Sequence, residues 1–219
     1  MASQIGEKEV FSLIGGAAGQ TRLLHIYYDD WMMRKARVID SDKATQLYRI
    51  EAKTCKPQMR IYHAASSPSS RPSSSSSADT QQFAEVVFPY WTCTRIDVVL
   101  DGQTMALSLN SMWRSARSFT SAVTGQRMTW KRYGGMMANP LNLYLADEQG
   151  NTVARFLPVN WAKRKAGKLE LQGAAAENGP LMDEAVVTGF AVAQYAALSI
   201  RGSTAGTASA AGVAAAVAS

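Results

Sequence analysis

Apolar and polar residues alternate in short runs from residue 22 to residue 172, and the period is two. Such runs read as half-buried β-strands. RLLHIYY (22–28) stops at Asp29-Asp30, MRKARVID (33–40) and LYRIEA (47–52) flank the polar turn SDKATQ, and QMRIYHA (58–64) precedes FAEVVFPYW (83–91). IDVVL-DG-QTMALSL then carries Asp101-Gly102, a two-residue turn that needs positive φ at both positions. Pairing outward from it sets Val98 opposite Met105 and Ile96 opposite Leu107, all on one face. RSFTSAV-TG-QRMTWKR, with Thr124-Gly125 taken as an equivalent turn, sets Phe119 opposite Trp130, Ser121 opposite Met128 and Arg117 opposite Arg132. A third hairpin, NLYLADEQGNTVARFLP, turns near 147–151, and the pattern leaves the inward face of 152–157 open. KLELQ (168–172) ends the series. About ten or more short strands at regular spacing predict a sandwich or a barrel.

The period changes at residue 180. LMDEAVVTGFAVAQYAALSI (181–200) is the most apolar stretch of the chain. Asn178-Gly179-Pro180 begins a helix, with proline at its first position, and Arg201-Gly202 ends one. Asp183 and Glu184 fall in the first turn, where the helix dipole favours acids. A helix of about 20 residues is about 30 Å long, enough to cross a bilayer. However, the two carboxylates shorten the apolar part, Thr188, Gln194 and Ser199 interrupt it, and much of the rest is alanine and glycine. A helix apolar on all sides but too short to span is expected in the core of a soluble domain. Ala185, Gly189, Ala193 and Ala197 form a small-residue stripe that would let Phe119 and Trp130 approach closely.

Two segments lack this patterning. SSPSSRPSSSSS (66–77) buries too little apolar surface to offset ordering and reads as a flexible loop within 65–81. STAGTASAAGVAAAVAS (203–219) reads as a low-complexity tail, and residues 1–20 as an N-terminal segment ahead of one domain over 21–202, with a central helix over 180–201.

With these motifs in view, the chain resembles the tubby C-terminal-like superfamily, which includes tubby, phospholipid scramblases and LURP-one-related proteins. The likeness is carried by RSFTSAVTGQRMTWKR (117–132), LNLYLADEQGNTVARF (141–156), and KLELQG followed by LMDEAVVTGFAVAQY (168–195). It is nearest to small fungal members of unassigned function. The resemblance implies a mainly β fold: a closed antiparallel barrel of about twelve strands around a buried hydrophobic C-terminal helix. It also implies binding of phosphoinositides through basic surface residues, as in tubby, although no tubby position aligns residue by residue. The scramblases carry an acidic calcium-ligand-like segment. Asp183 and Glu184 are its nearest counterpart and are too few for a calcium cage.

Composition narrows the chemistry. The chain has 219 residues with 23 basic and 17 acidic side chains, a formal charge of +6. That favours an anionic partner without choosing one. Cys55 and Cys93 have no ligand-like spacing, so reduced thiols are expected, with no zinc site. No secretory signal and no lipidation motif is legible, so an intracellular protein, cytoplasmic or peripheral to a membrane, is expected. No catalytic motif is present. His25 and His63 lie in strand-like runs and read as structural, and Gly15-Gly16-Ala17-Ala18-Gly19 precedes no βαβ unit. A non-enzymatic protein without cofactor, metal or nucleic-acid partner is expected.

The basic residues carry the remaining chemistry. Arg117 and Arg132 with nearby Arg114 form one group, and Lys163, Arg164, Lys165 and Lys168 behind Trp161 form another. Lys131 and Arg127 point to the other face. Basic groups beside an aromatic suit an anionic membrane surface, and the same residues serve equally as solubilising rim charges. Three functions follow: a barrel that binds anionic lipid headgroups, an interaction scaffold recruiting proteins through its serine loop, or a scramblase-like protein anchored by 181–200.

Overall fold

The computed structural model describes residues 20–29, 34–53, 55–64, 81–89, 94–111, 116–133, 142–158 and 165–216. Twelve antiparallel strands close into one barrel. They are β1 (Thr21–Tyr28), β2 (Lys35–Ile39), β3 (Gln46–Ala52), β4 (Met59–His63), β5 (Gln82–Val87) and β6 (Arg95–Leu100). They continue with β7 (Gln103–Ser111), β8 (Ala116–Thr120), β9 (Arg127–Arg132), β10 (Leu143–Ala146), β11 (Thr152–Pro158) and β12 (Lys165–Gln172). Each strand pairs with its neighbour in sequence, and β1 closes on β12 from Thr21↔Gln172 to Tyr27↔Lys165. Closure removes the exposed edges that an open sheet would present.

The alternation puts one apolar set inside. Leu24, Ile26, Val38, Ile61, Val86, Ile96, Val98 and Leu107 are fully inaccessible to solvent. The β6–β7 register is the one the sequence predicts, with Val98↔Met105 and Ile96↔Leu107. Asp101 and Gly102 both have positive φ, 46° and 79°, as a two-residue primed turn demands. The open question on β11 is settled by its pairing. Ala154 faces Leu145 and Phe156 faces Leu143, both inward, while Arg155 lies between Tyr144 and Glu170 on the outer face.

The β8–β9 register differs from the prediction by two residues. Phe119 pairs with Met128 and Arg117 with Trp130. Phe119 therefore does not oppose Trp130, Ser121 does not oppose Met128, and Arg117 does not oppose Arg132. The turn explains the shift. A two-residue primed turn needs positive φ at Thr124, which β-branched residues resist; here only Gly125 adopts it, at 69°. The chain instead turns over four residues. Ser121 Oγ accepts the N–H groups of Val123 and Thr124 at 3.2 and 3.1 Å, and Ser121 O accepts that of Gly125 at 3.0 Å. A slip of two keeps every side chain on its face, so Phe119, Met128 and Trp130 remain inside.

A short 3-10 helix, Gly173–Ala176, leads to helix α1, Pro180–Ala216. Proline stands first, as read from the sequence, and Gly179 O accepts the Met182 and Asp183 N–H groups. Asn178 Oδ1 accepts from Arg22 Nη1 at 2.6 Å, so its side chain ties the helix start to β1. The helix passes through the barrel, and Ala185, Val186, Val187, Ala191 and Val192 are buried. Strands surround it, which is why its apolar residues are not confined to one face. The stretch 181–200 is thus spent largely on the barrel core as far as Ala193, and among the described residues no helix is long and apolar enough to cross a membrane. The helix does not stop at Arg201-Gly202 but continues to Ala216. One glycine costs a helix about 1 kcal/mol relative to alanine, and the alanine-rich residues beyond it sustain the helix. The serine-rich run 66–77 and residues 1–19 lie outside the described residues.

Candidate anionic-surface site

The barrel has two rims of different chemistry. At the lower rim, where α1 starts, lie the connections 40–45, 64–81, 101–102, 121–126, 147–151 and 173–179. At the upper rim, reached by Tyr195 of α1, lie 29–34, 53–58, 88–94, 112–115, 133–142 and 159–164. Among the described residues, the upper connections contain Arg34, Lys53 and Lys56 against Asp29. The lower ones contain Asp40, Asp42, Asp101, Asp147, Glu148 and Glu177 against Lys43. One rim is therefore basic and the other acidic.

The lower rim holds the helix. Tyr48 Oη donates to Asp183 Oδ1 at 2.5 Å, and His63 Nε2 stands 3.9 Å from the other carboxylate oxygen. His63 stacks on Phe83 with ring centroids 3.9 Å apart. Burial pushes the Asp183 carboxyl above the usual carboxylate range, opposed by the Tyr48 hydroxyl; burial also raises Tyr48. Glu184 is buried and accepts the Ala122 N–H at 2.9 Å, and burial raises its carboxyl as well. Arg22 grips Asp40 with two nitrogens and holds that carboxyl below its usual range. These partners sit up to 156 residues apart, so nothing local in the sequence marks them. The dipole account of Asp183 and Glu184 omits their main role, which is to fasten the helix to the strands. A groove beside Phe83, lined by Glu85, Val99 and Asp101, is acidic and suits no anion.

The predicted basic residues separate on this frame. Arg117 and Arg132 share the inner face, Arg132 two residues beyond the Trp130 that opposes Arg117. Arg117 is buried, its guanidinium 4.2 Å over the Tyr195 ring. Cation–π contact over a tyrosine face makes it a packing partner of the helix, and a headgroup does not reach it in this conformation. Arg132, at the upper end of β9, is exposed. Lys165 begins β12 opposite Tyr27, and Lys168 is half-buried on the outer face between His25 and Leu157. Arg114, Lys163 and Arg164 lie outside the described residues, but the strand ends they join are at the upper rim. β9 and β12 stand three strands apart, about 14 Å at ordinary strand spacing. The four described ones, Arg117, Arg132, Lys165 and Lys168, therefore stand in the upper half of the barrel on strands set apart from one another.

No known family, curated protein or solved structure matches the chain. Function must therefore be argued from the barrel alone. Among the described residues, no group of three or more His, Cys, Asp or Glu side chains is placed to hold a metal ion. Cys55 is an exposed free thiol, and Cys93 lies outside the described residues.

Proposed function

We propose that this chain is a non-enzymatic, tubby-like barrel that binds anionic lipid headgroups, phosphoinositides among them, at a membrane surface. The observation that carries the reading is the separation of charge between the rims, with the basic connections at the upper end and the acidic ones at the lower. A dipolar barrel presents its basic end to an anionic plane and turns its acidic end away, at about 1 kcal/mol for each Lys or Arg near the surface. The twelve-stranded barrel around a helix also agrees with the architecture that the resemblance implies.

Co-sedimentation with vesicles of phosphatidylcholine, with and without phosphatidylserine or phosphoinositide, tests the reading. Reversing Arg132, Lys163 and Arg164 to Glu is expected to weaken binding to anionic vesicles on the order of a hundredfold or more. Reversing the lower-rim cation Lys43 to Glu should leave binding nearly unchanged. Equal losses in both variants, or binding that ignores anionic lipid, would count against the proposal.

A further inference from the structure

Two arginines face the interior at the upper mouth of the barrel. Arg117 opposes Trp130 across β8–β9, and Arg132 follows Trp130 by two residues on the same face, so the arginines are diagonal neighbours. Such neighbours stand about 7–8 Å apart, and their long side chains can meet on one anion. Leu109 and Leu143 flank the pair on β7 and β10. None of the described strand positions that face inward at this end carries a carboxylate. A mouth with one sign of charge and apolar walls focuses its field on an incoming counter-ion. The two side chains differ in access. Arg132 is exposed, whereas Arg117 is buried beneath the Tyr195 ring, 4.2 Å from its centroid. That cover rides on the part of α1 that the strands hold least. Val192 and Ala193 are buried, residues 194–198 are half-buried, and Ser199 is exposed. Tyr195 touches Phe88 at a centroid distance of 5.9 Å, and Ser199 Oγ donates to the Tyr195 carbonyl at 2.9 Å, a back-bond of a kind that bends helices.

Resting on the headgroup reading above, we propose that Arg117 and Arg132 form a two-arginine seat for a multiply phosphorylated inositol headgroup, and that Tyr195 closes it until the upper end of α1 shifts. Arg132, being exposed, makes the first contact, and Arg117 engages once the ring has moved. The exchange favours the ligand, because the guanidinium gives up a ring face for a phosphate that it meets through two charge-assisted N–H···O bonds. The displaced tyrosine enters the membrane–water boundary, where its amphipathic ring is well accommodated. A ligand shifts such an equilibrium only by its differential affinity for the open state. A lipid with a single phosphodiester carries one phosphate and cannot occupy both guanidiniums as a headgroup with added monoester phosphates does. The cover thereby selects multiply phosphorylated headgroups over singly charged ones.

Tyr195→Leu keeps apolar bulk on the helix and removes the π face, which makes it the test of the cover in the full chain. Its affinity for phosphatidylcholine vesicles containing phosphatidylinositol bisphosphate is expected to exceed that of the parent about tenfold. Adding Arg117→Met should cancel the gain, and vesicles containing phosphatidylserine instead should show none. Calorimetric titration with soluble inositol trisphosphate separates the two sources of the same phosphates. A gain with both probes makes the occupant a lipid headgroup; a gain with the soluble compound alone, with no vesicle binding, makes it a free inositol phosphate and overturns the headgroup reading. Hydrogen exchange on the unaltered protein needs no variant to fold. Saturation with soluble dioctanoyl phosphatidylinositol bisphosphate should speed exchange of the 194–199 amides, and unchanged or slower exchange overturns the gate. Vesicle binding by the parent with no gain in Tyr195→Leu overturns the seat and leaves the headgroup reading standing. No association with either probe overturns both.

Discussion

Gly189 marks the closest approach of helix and sheet. A β-carbon there would stand 3.0 Å from Cζ2 and 3.1 Å from Cη2 of Trp130. The indole has little room to yield, since it is fully buried and its Nε1 donates to Thr188 Oγ1 at 3.0 Å. Thr188 in turn donates to the Glu184 carbonyl at 2.7 Å, so ring, hydroxyl and helix backbone form one chain of contacts. Two effects compete on substitution. Alanine gains up to about 1 kcal/mol over glycine in a helix, and overpacking a dry core costs about 1–3 kcal/mol. The fixed ring decides for the second. Gly189→Ala is expected to destabilise the protein by about 1 kcal/mol net, read from chemical denaturation, with the loss reduced in a Trp130→Phe background. A raised midpoint for Gly189→Ala alone would contradict the contact.

At the scale of elements, the attachment of α1 to the β8–β9 hairpin governs how stability varies with pH. Glu184 is buried against the hairpin, and its folded-state carboxyl lies above its ordinary value because burial disfavours the charge. An acid whose folded value is raised binds its proton more readily in the native state. Its contribution is therefore fully present below the unfolded value and is lost as pH rises through the folded one. Asp183 is shifted the same way, also by burial. Glu184→Gln keeps an oxygen to accept the Ala122 N–H and removes the titration. The variant should gain stability over the parent as pH rises from about 4 to 7. Urea unfolding at both ends of that range checks the sign, and a gain that shrinks with pH would refute it. The same hairpin shows where sequence reading slipped. Asp101-Gly102 and Thr124-Gly125 look alike, yet the first is a true two-residue turn and the second is not. Aspartate tolerates positive φ and threonine does not, and the Ser121 hydroxyl offers the second hairpin a local alternative.

For the whole molecule, closure is the decisive event. β1 and β12 meet only after the chain between Thr21 and Gln172 has been laid out, and α1 must then fill the interior. Neither sheet nor helix buries its apolar face alone, so the barrel should unfold in one step. A chain ending at residue 172 retains all twelve strands and loses the filling. It is expected to show no cooperative thermal transition by circular dichroism, and a sharp melt would disprove the dependence. The antiparallel order of successive strands gives the rims their chemistry, since it sorts connections alternately to one end and the other. Charges that look scattered along the chain thereby become a basic and an acidic pole.

What the sequence determined alone is most of the strands and the faces they bury, β11 excepted, with the start of the helix and its enclosure, because these follow from local periodicity and capping. The inward sides of Val98, Leu107, Phe119 and Trp130 were readable for that reason. Only the tertiary structure decided the turn at Ser121, the burial of Arg117 over Tyr195, and the ties of Asp183 to Tyr48 and of Glu184 to Ala122. Those depend on partners far away in the chain, and no local pattern encodes a contact across 135 residues. The polarity of the rims lies between the two cases. Every residue that makes it is visible in the sequence, but which end each connection joins is fixed only when successive strands pair antiparallel.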